Sequence, residues 1–334
     1  MCRNQGNIMH VSSTRDTFGT LLWITDVPSS GNDPHHLGPS LDGKTLVGGG
    51  LLSLLKTQDT AFYFDTTNPY RPTFKKSNRA LLSSIADEIR AKPDGGFYIT
   101  YMGSAVGTSP GRLVETDADF NIIHEWPQDV ESTLNILGEQ FNPHGLSIDW
   151  ERKNILTSDF VEPRSLSIRS LMNVQGGGIQ DVKHIPGNPE GAALATAVHL
   201  GQVWIIYPER KDAHGKPGVA ELLFDLGPKA RDTVAIYAWT TPTKEQPTIG
   251  PHYVKVTPDQ KHLVVTDYFV QTGNLGLINT PADFKALYVD ILDDGSLSFN
   301  RSIDFQREFA NRGGAKPHSS VIFDLTDPEN PLYY

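Results

Sequence analysis

PHHLGPSLDGKTLVGGG, residues 34–50, has the pattern of two short β-strands joined by a tight turn. The Asp42-Gly43 pair predicts the turn, because a two-residue hairpin turn needs positive backbone φ angles that these residues tolerate. The pattern returns in residues 142–160 and 250–269, each time with a Pro-His pair at its start. In all three copies an acidic residue follows the histidine by seven positions: Asp42, Glu151 and Asp259. A repeated strand–turn–strand unit indicates an all-β repeat architecture.

Six polar residues share one position in this repeat. A fourth Pro-His pair, at residues 317–318, precedes an apolar stretch, and two further segments have an aspartate where the histidine stands. We call the set the polar column: His35, Asp87, His144, Asp181, His252 and His318. The intervals are unequal but comparable with the ~40–50 residues of a four-stranded propeller blade.

The sequence therefore predicts an all-β fold, a β-propeller. Seven blades is the favoured count and six the alternative, because residues 208–250 fit either the end of one blade or a reduced extra blade. A strand at residues 20–27 and another at 318–323 are expected to close the ring, which would remove exposed sheet edges. Residues 1–18 are expected to be loose, and residues 19–334 to form a single propeller domain.

Composition excludes several classes of function. The chain has 334 residues, a net charge of −10 and one cysteine, Cys2. The charge argues against nucleic-acid binding, and a lone cysteine rules out a disulfide framework or a thiolate metal site. No apolar run approaches the ~20 residues of a transmembrane helix. The sequence predicts a soluble protein, cytoplasmic as it stands, or secreted if a signal peptide has been removed; it leaves the oligomeric state open.

The polar column carries the functional prediction. The first strand of each propeller blade lines the central channel, so residues at one register on those strands are expected to converge. The sequence requires no cofactor, but neutral imidazoles with carboxylates suit a divalent metal, Cu, Zn, Fe or Mn. The predicted metal ligands are His35, His144, His252 and His318. In the alternative interpretation, these histidines satisfy backbone groups of neighbouring loops.

Residues beside the column extend the predicted site. Strand alternation would point His36 and Glu88 away from their column neighbours unless a β-bulge reverses them. Arg90 lies on the same face as Glu88 and would neutralise it. The predicted catalytic set is His35, His36, Asp87, Glu88, His144, His252 and His318. The predicted substrate-binding set is Tyr253, Tyr268, Arg90 and Asp181. The remaining histidines, among them His184, are assigned to the surface or to packing.

Several motifs resemble those of the selenium-binding-protein family, which includes methanethiol oxidases. They are PHHLGPSLDGK (34–44), NPHG (142–145), GPHYVKVTPD (250–259), VVTDYF (264–269) and KPHS (316–319). The resemblance covers roughly residues 20–325. It implies a seven-bladed propeller with a histidine site in the channel that can bind a metal. Better-known members are longer, and they carry His-x-x-His-Cys where this chain has IADEI (85–89). The shorter form also resembles fungal propeller proteins of secondary metabolism, a group that includes hetero-Diels–Alderases.

Three hypotheses follow, in this order. The first is an enzyme of fungal natural-product biosynthesis that joins a quinone methide to a terpene alkene, acting on small apolar substrates at the propeller axis. The second is a metal-dependent enzyme of the family type, resembling a thiol oxidase or a hydrolase. The third is a non-catalytic propeller that binds a metal or a protein partner.

Overall fold

A computed structural model gives the conformation of most of the chain. It describes residues 7–11, 20–28, 34–51, 53, 59–127, 141–159, 164–167, 171–173, 179–185, 187–197, 202–225, 251–257, 259, 261–267, 285–293, 297–312, 317–327 and 332–333. The regular secondary structure in these residues is almost entirely β-strand. None of the helices in these ranges is long and apolar enough to cross a bilayer.

Five four-stranded sheets, each built from strands consecutive in the chain, lie in the described residues. Sheet I consists of β3 (Pro34–Pro39), β4 (Thr45–Gly50), β5 (Ala61–Asp65) and β6 (Thr73–Asn78), and follows a hairpin of β1 (Asn7–Val11) and β2 (Leu21–Asp26). Sheet II consists of β7 (Ser83–Ala91), β8 (Phe97–Ser104), β9 (Arg112–Thr116) and β10 (Ile122–Trp126). Sheet III consists of β11 (Pro143–Asp149), β12 (Asn154–Asp159), β13 (Arg164–Ser167) and β14 (Leu171–Asn173).

Sheet IV consists of β15 (Ile179–His184), β16 (Ala193–Ala197), β17 (Gln202–Lys211) and β18 (Pro217–Asp225). Sheet V consists of β19 (Pro251–Val256), β20 (His262–Asp267), β21 (Lys285–Ile291) and β22 (Leu297–Asp304). A short helix α1 (Phe305–Glu308), capped by the Asp304 carboxylate, and a 3-10 turn (Ala310–Arg312) follow. The last pair is β23 (Phe323–Asp324) with β24 (Leu332–Tyr333).

Repeated four-stranded antiparallel meanders are the blades of a β-propeller, which confirms the predicted fold class. The number of blades stays a prediction. Of residues 208–250, on which that number depends, residues 208–225 belong to sheet IV, and residues 226–250 lie outside the described part of the chain.

The chain divides into two compact units. One contains Met1–Arg79, Ala91–Gly95 and Thr241–Tyr334, and therefore sheets I and V with the two short hairpins. The other contains Ala80–Arg90 and Gly96–Thr240, and therefore sheets II, III and IV. We call them the terminal unit and the central unit.

Consecutive sheets of the central unit pack through apolar side chains. Leu113 of sheet II packs with Leu146 and Ile155 of sheet III. Leu156 of sheet III packs with a group of sheet IV residues: Val182, Ala193, Ala195, Trp204 and Ile206. Each sheet therefore buries apolar residues against its neighbour in sequence, as the blades of a propeller do.

The turn that defines the repeat is the same in sheets I and V. The Asp42 carboxylate accepts hydrogen bonds from the Ser40 hydroxyl at 2.6 Å and the Lys44 N–H at 3.0 Å. The Asp259 carboxylate accepts from the Thr257 hydroxyl at 2.6 Å and from the Lys261 N–H at 3.1 Å. Both acidic turn residues are therefore confirmed as turn anchors. The hydrogen bonds from Ser40 and Thr257 are the largest of the effects that lower the pKa of these carboxyls.

Sheet III departs from the predicted turn. The Asp149 carboxylate accepts the Arg152 N–H at 3.1 Å, and Lys153 adopts a positive φ of 52°. Glu151 lies in the turn, as predicted. The side chain that holds the backbone here is Asp149, two positions earlier, because the turn closes on the last residue of β11.

Two predictions about the ends of the chain need correction. Residues 7–11, assigned to a loose segment, form β1, which pairs with β2 over Asn7↔Asp26 to Val11↔Leu21. Residues 318–323 were assigned to a closing strand, but residues 318–322 form no strand, and Phe323 enters a ladder only through the short strand β23. An apolar run predicts an extended backbone but cannot predict that a partner lies alongside with free hydrogen-bonding groups.

Candidate functional site

The polar column coincides with irregularities in strand pairing. In four sheets the ladder between the first and second strands shifts register at the column residue, which is the mark of a β-bulge. The shifts lie between Pro34 and Leu37, Pro143 and Leu146, Ile179 and Val182, and Pro251 and Tyr253. A bulge interrupts the strict alternation of side chains, so adjacent residues can both be buried at this point.

Three buried histidines come together in the terminal unit. The imidazole rings of His35 and His318 lie with their centroids 3.5 Å apart, and His36 lies 5.0 Å from His35 and 4.6 Å from His318. Each of the three residues is at most 3% exposed. We call this group the histidine cluster. The bulge in β3 explains why both His35 and His36 belong to it.

The histidine cluster has the donor set of a transition-metal site. One ligand nitrogen from each ring lies within 4.8 Å of the others. Two nitrogens on one tetrahedral zinc ion, each at ~2.0–2.1 Å, are about 3.4 Å apart, so the ring nitrogens need to approach one another by up to about 1.4 Å. Three neutral imidazoles suit Zn, Cu or Fe and leave a fourth coordination position for water or substrate.

The structure brings together two of the predicted metal ligands, His35 and His318. His36 had been assigned to catalysis and not to the metal, yet its ring belongs to the cluster. Nδ1 of His144 contacts a carboxylate in the central unit, and its assignment as a metal ligand stays a prediction. For His252 the backbone lies in β19, but the side chain lies outside the described part of the structure.

The central unit holds a buried imidazole–carboxylate contact. Nδ1 of His144, on β11, lies 3.0 Å from Oδ2 of Asp87, on β7. Asp87 is fully buried and His144 is 6% exposed. We call these two residues the acid–base pair. A carboxylate on Nδ1 fixes the imidazole tautomer and directs Nε2 toward any reacting group, as in catalytic triads.

A second carboxylate is buried beside the pair. Glu88 is 3% exposed, and its Oε1 accepts a charge-assisted hydrogen bond from Nη1 of Arg90. The same nitrogen donates to the carbonyl of Ile89 at 2.9 Å. Arg90 therefore neutralises Glu88, as one of the sequence interpretations expected. Its role in substrate binding stays a prediction.

Backbone strain accompanies these two buried carboxylates. Ile85 has a φ of 63°, the left-handed region that a β-branched residue adopts only under constraint. Its Cδ1 packs within 3.0 Å of the position that a Cβ on Gly103 would occupy. Sparsely populated backbone angles concentrate at functional sites. The irregular backbone explains why Asp87 and Glu88 are both buried although they are neighbours in sequence.

Hydroxyl groups that the sequence analysis did not single out hold the column histidines in place. Thr100 donates to the carbonyl of His144 at 2.6 Å, Ser319 donates to that of His35 at 3.1 Å, and Thr266 donates to that of His318. Ser319 directly follows a column residue, and Thr266 lies in the VVTDYF motif. The motifs therefore contained Ser319 and Thr266 but not Thr100, and only the structure shows the partners of all three.

The other predicted residues are described only in part. Asp181 and Tyr253 lie on β15 and β19, and their side chains are outside the described structure. Tyr268 lies outside it altogether. Their assignment to substrate binding stays a prediction.

No protein-family profile matches the chain, and no curated protein matches it in sequence. Its fold is similar to that of a hypothetical selenium-binding protein from Sulfolobus tokodaii, with a TM-score of 0.57 and 13% identity over 91% of this chain and 72% of that one. It is also similar to a periplasmic gluconolactonase from Pseudomonas aeruginosa, with a TM-score of 0.51 and 13% identity over 99% and 85% of the two chains.

A functionally unknown protein from Desulfotomaculum acetoxidans has a TM-score of 0.50 and 12% identity, over 90% of this chain and 78% of its own. At such identities the likeness concerns the fold alone. It agrees with the propeller architecture and includes a protein described as selenium-binding.

Proposed function

We propose that the chain is an enzyme that acts on a small organic molecule by proton transfer at His144 and Asp87. The observation that carries the proposal is the buried 3.0 Å contact between Nδ1 of His144 and Oδ2 of Asp87. A buried carboxylate and imidazole held in contact form a general acid–base unit. Buried Glu88, neutralised by Arg90, lies next to it in sequence.

The proposed reaction is a hetero-Diels–Alder cyclisation of a quinone methide with a terpene alkene. The resemblance to fungal propellers of secondary metabolism supports this choice, by analogy within a fold. Such a reaction needs one proton acceptor and donor and two substrates held in register, and positioning alone can contribute several kcal/mol. It needs no external oxidant or reductant.

The acid–base pair supplies both proton steps. With its Nδ1–H directed at Asp87, neutral His144 presents Nε2 as a base, which takes the phenol proton of a hydroxybenzyl precursor. The resulting imidazolium returns that proton to the benzylic hydroxyl as the carbon–oxygen bond breaks, so that water and a neutral quinone methide are formed. The alkene then forms one carbon–carbon and one carbon–oxygen bond with it. A hydrogen bond to the methide carbonyl lowers the barrier to this addition.

An assay with a hydroxybenzyl precursor and a humulene-type alkene tests this function. We expect the protein to accelerate the reaction over buffer and to give one stereoisomer, and His144→Gln to lower kcat by about 100-fold or more. A matched control is His124→Gln, because Nδ1 of His124 also contacts a carboxylate, that of Glu115 at 2.9 Å, but on a partly exposed surface. Absence of acceleration by the unaltered protein would reject the reaction.

The histidine cluster favours a second candidate, a metal-dependent enzyme. His35, His36 and His318 would hold the ion, and a metal there would act as a Lewis acid or activate a bound water. The resemblance to the selenium-binding-protein family supports this candidate. Its reaction would be an oxidation or a hydrolysis.

Elemental analysis of protein purified without chelators separates the two candidates. The metal-dependent enzyme predicts about one equivalent of Cu, Zn, Fe or Mn, with loss of metal in His35→Ala and His318→Ala and unchanged metal in His144→Gln. It also predicts that chelation abolishes activity. A full activity that survives chelation, in protein without metal, would eliminate this candidate.

A further inference from the structure

Thr100 binds the backbone on both sides of the acid–base pair. It lies on β8 and is fully buried. Its hydroxyl donates to the carbonyl oxygen of His144 at 2.6 Å and accepts the backbone N–H of Glu88 at 3.0 Å. One hydroxyl group thus connects the strand that carries Asp87 to the strand that carries His144.

This connection matters because no shared ladder joins those two strands. Strand β7 belongs to sheet II, whereas β11 begins sheet III. The 3.0 Å contact between Asp87 and His144 therefore depends on how two sheets are held side by side. A hydroxyl that bonds the backbone next to each residue fixes that spacing directly.

The same arrangement recurs in the terminal unit. The Thr266 hydroxyl, on β20, donates to the carbonyl of His318, and the Ser319 hydroxyl donates to that of His35. Every column histidine whose side chain is described thus has its carbonyl bonded to a hydroxyl from another segment. A hydrogen bond from a hydroxyl to the carbonyl of a column histidine is therefore a repeated feature of these residues.

We propose that Thr100 is a positioning residue for the acid–base pair, an inference that rests on the proposed proton-transfer function. It touches neither substrate nor reacting atoms. It acts through the backbone of His144 and Glu88, and it holds Nδ1 of the imidazole in its 3.0 Å contact with Oδ2 of Asp87, which leaves Nε2 available.

Three variants isolate the hydroxyl of Thr100. Thr100→Val removes it with little change of shape, and Thr100→Ser retains it. Thr116→Val is the matched control: Thr116 is also fully buried in sheet II, and its hydroxyl accepts the N–H of Phe97 at 2.9 Å, away from the pair. The readout is the downfield proton NMR signal of the Nδ1–H of His144, assigned by its loss in His144→Gln, together with its exchange rate with water.

We expect Thr100→Val to abolish this signal or to accelerate its exchange about tenfold, and to lower kcat by about 10- to 100-fold with little change in KM. Thr100→Ser should restore both, and Thr116→Val should leave both unchanged. A wild-type signal and exchange rate in Thr100→Val would overturn the proposal, even if the variant is less stable. If Thr100→Val does not fold, Thr100→Ala decides by the same signal.

The two proposals fail in different ways. The NMR signal reports the Asp87–His144 contact whether or not the protein catalyses the proposed reaction. Loss of the signal in Thr100→Val, in a protein without cyclisation activity, would support the positioning role while rejecting the function. An unchanged signal in an active Thr100→Val variant would reject the positioning role alone.

Discussion

At the scale of single residues, the partly buried imidazole of His184 makes the free energy of unfolding depend on pH. Its Nδ1 lies 2.9 Å from the Ser147 hydroxyl, and burial lowers the pKa of the ring below its usual value. The nearby Asp149 carboxylate raises that pKa and Arg152 lowers it, so the carboxylate offsets burial only in part. His184 is therefore held in its neutral form.

The sign of the pH effect follows from this lowered pKa. A histidine whose folded pKa lies below its unfolded value stabilises the fold above about pH 6.5, and this stabilisation is lost as the pH falls through the folded value. We expect the free energy of unfolding in urea to fall between pH 7.5 and pH 5.5, and to fall less in His184→Asn. Equal slopes in the wild type and in His184→Asn would contradict the prediction.

Single-residue chemistry was predictable where a residue acts within its own turn. Asp42 and Asp259 anchor turns because their carboxylates reach backbone N–H groups two positions away. For partners that are distant in sequence, the shared register of the polar column predicted only that its members converge. The register could not show that Asp87 meets His144 in particular, because this pairing depends on how sheet II packs on sheet III.

At the scale of elements, the bulge in β3 depends on a close approach of two strands. A Cβ added to Gly48, on β4, would lie 2.9 Å from Cβ of Pro34, the residue where the register shift begins. Gly48 pairs with Leu37, just beyond the bulge. The absence of a side chain at Gly48 therefore allows β3 to deviate and to bring both His35 and His36 into the histidine cluster.

We expect Gly48→Ala to destabilise the protein by about 1–3 kcal/mol, because the added methyl overpacks the strand pair. Thermal unfolding followed by circular dichroism measures the effect. Combining it with Pro34→Gly, which removes the opposing Cβ, should cost less than the sum of the two single changes. Strict additivity in this double-mutant cycle would show that the two positions do not interact.

Local irregularities of the backbone decide between two orientations that the sequence left open for His36 and Glu88. Strict alternation along a strand would point them away from His35 and Asp87. The structure buries all four residues. In β3 the register shift between Pro34 and Leu37 breaks the two-residue period, and in β7 the irregularity is the positive φ of Ile85. A slip is decided by both strands together, so one strand's pattern could not reveal it.

At the scale of the whole molecule, residues 317–322 connect sheets I and V within the terminal unit. Val321 packs against the core of sheet I beside Val27, Leu46 and Phe62. Its neighbour Ile322 packs against Val264 and Tyr288 of sheet V. The closing contact of this unit is therefore made by side chains and hydroxyl groups, in place of the regular strand that the apolar pattern predicted.

We expect Ile322→Ala to lower the free energy of unfolding by about 2–4 kcal/mol, since the side chain is buried between packed residues. Because the segment contacts both sheets, the unfolding transition should remain single and shift as a whole. Leu292→Ala is the control, since its side chain is 46% exposed and should change stability by at most about 0.5 kcal/mol. A split transition in Ile322→Ala would show that sheets I and V unfold independently.

The fold class was predictable from the recurring strand–turn–strand pattern, because local turn chemistry and strand propensity specify each meander. The way in which residues 317–322 join sheets I and V was not predictable from the sequence. It depends on contacts between residues hundreds of positions apart, and no local pattern records them.

The Ser319–His35 hydrogen bond joins residues 284 positions apart, and the His318 ring contacts the ring of the same His35. During synthesis the first sheet leaves the ribosome long before residues 317–319 do, so nascent chains carry His35 and His36 without their third partner. The histidine cluster is consequently among the last features to assemble, at the slow, high-contact-order end of folding. A chain released early by the ribosome lacks the cluster entirely, whatever fraction of its blades has folded.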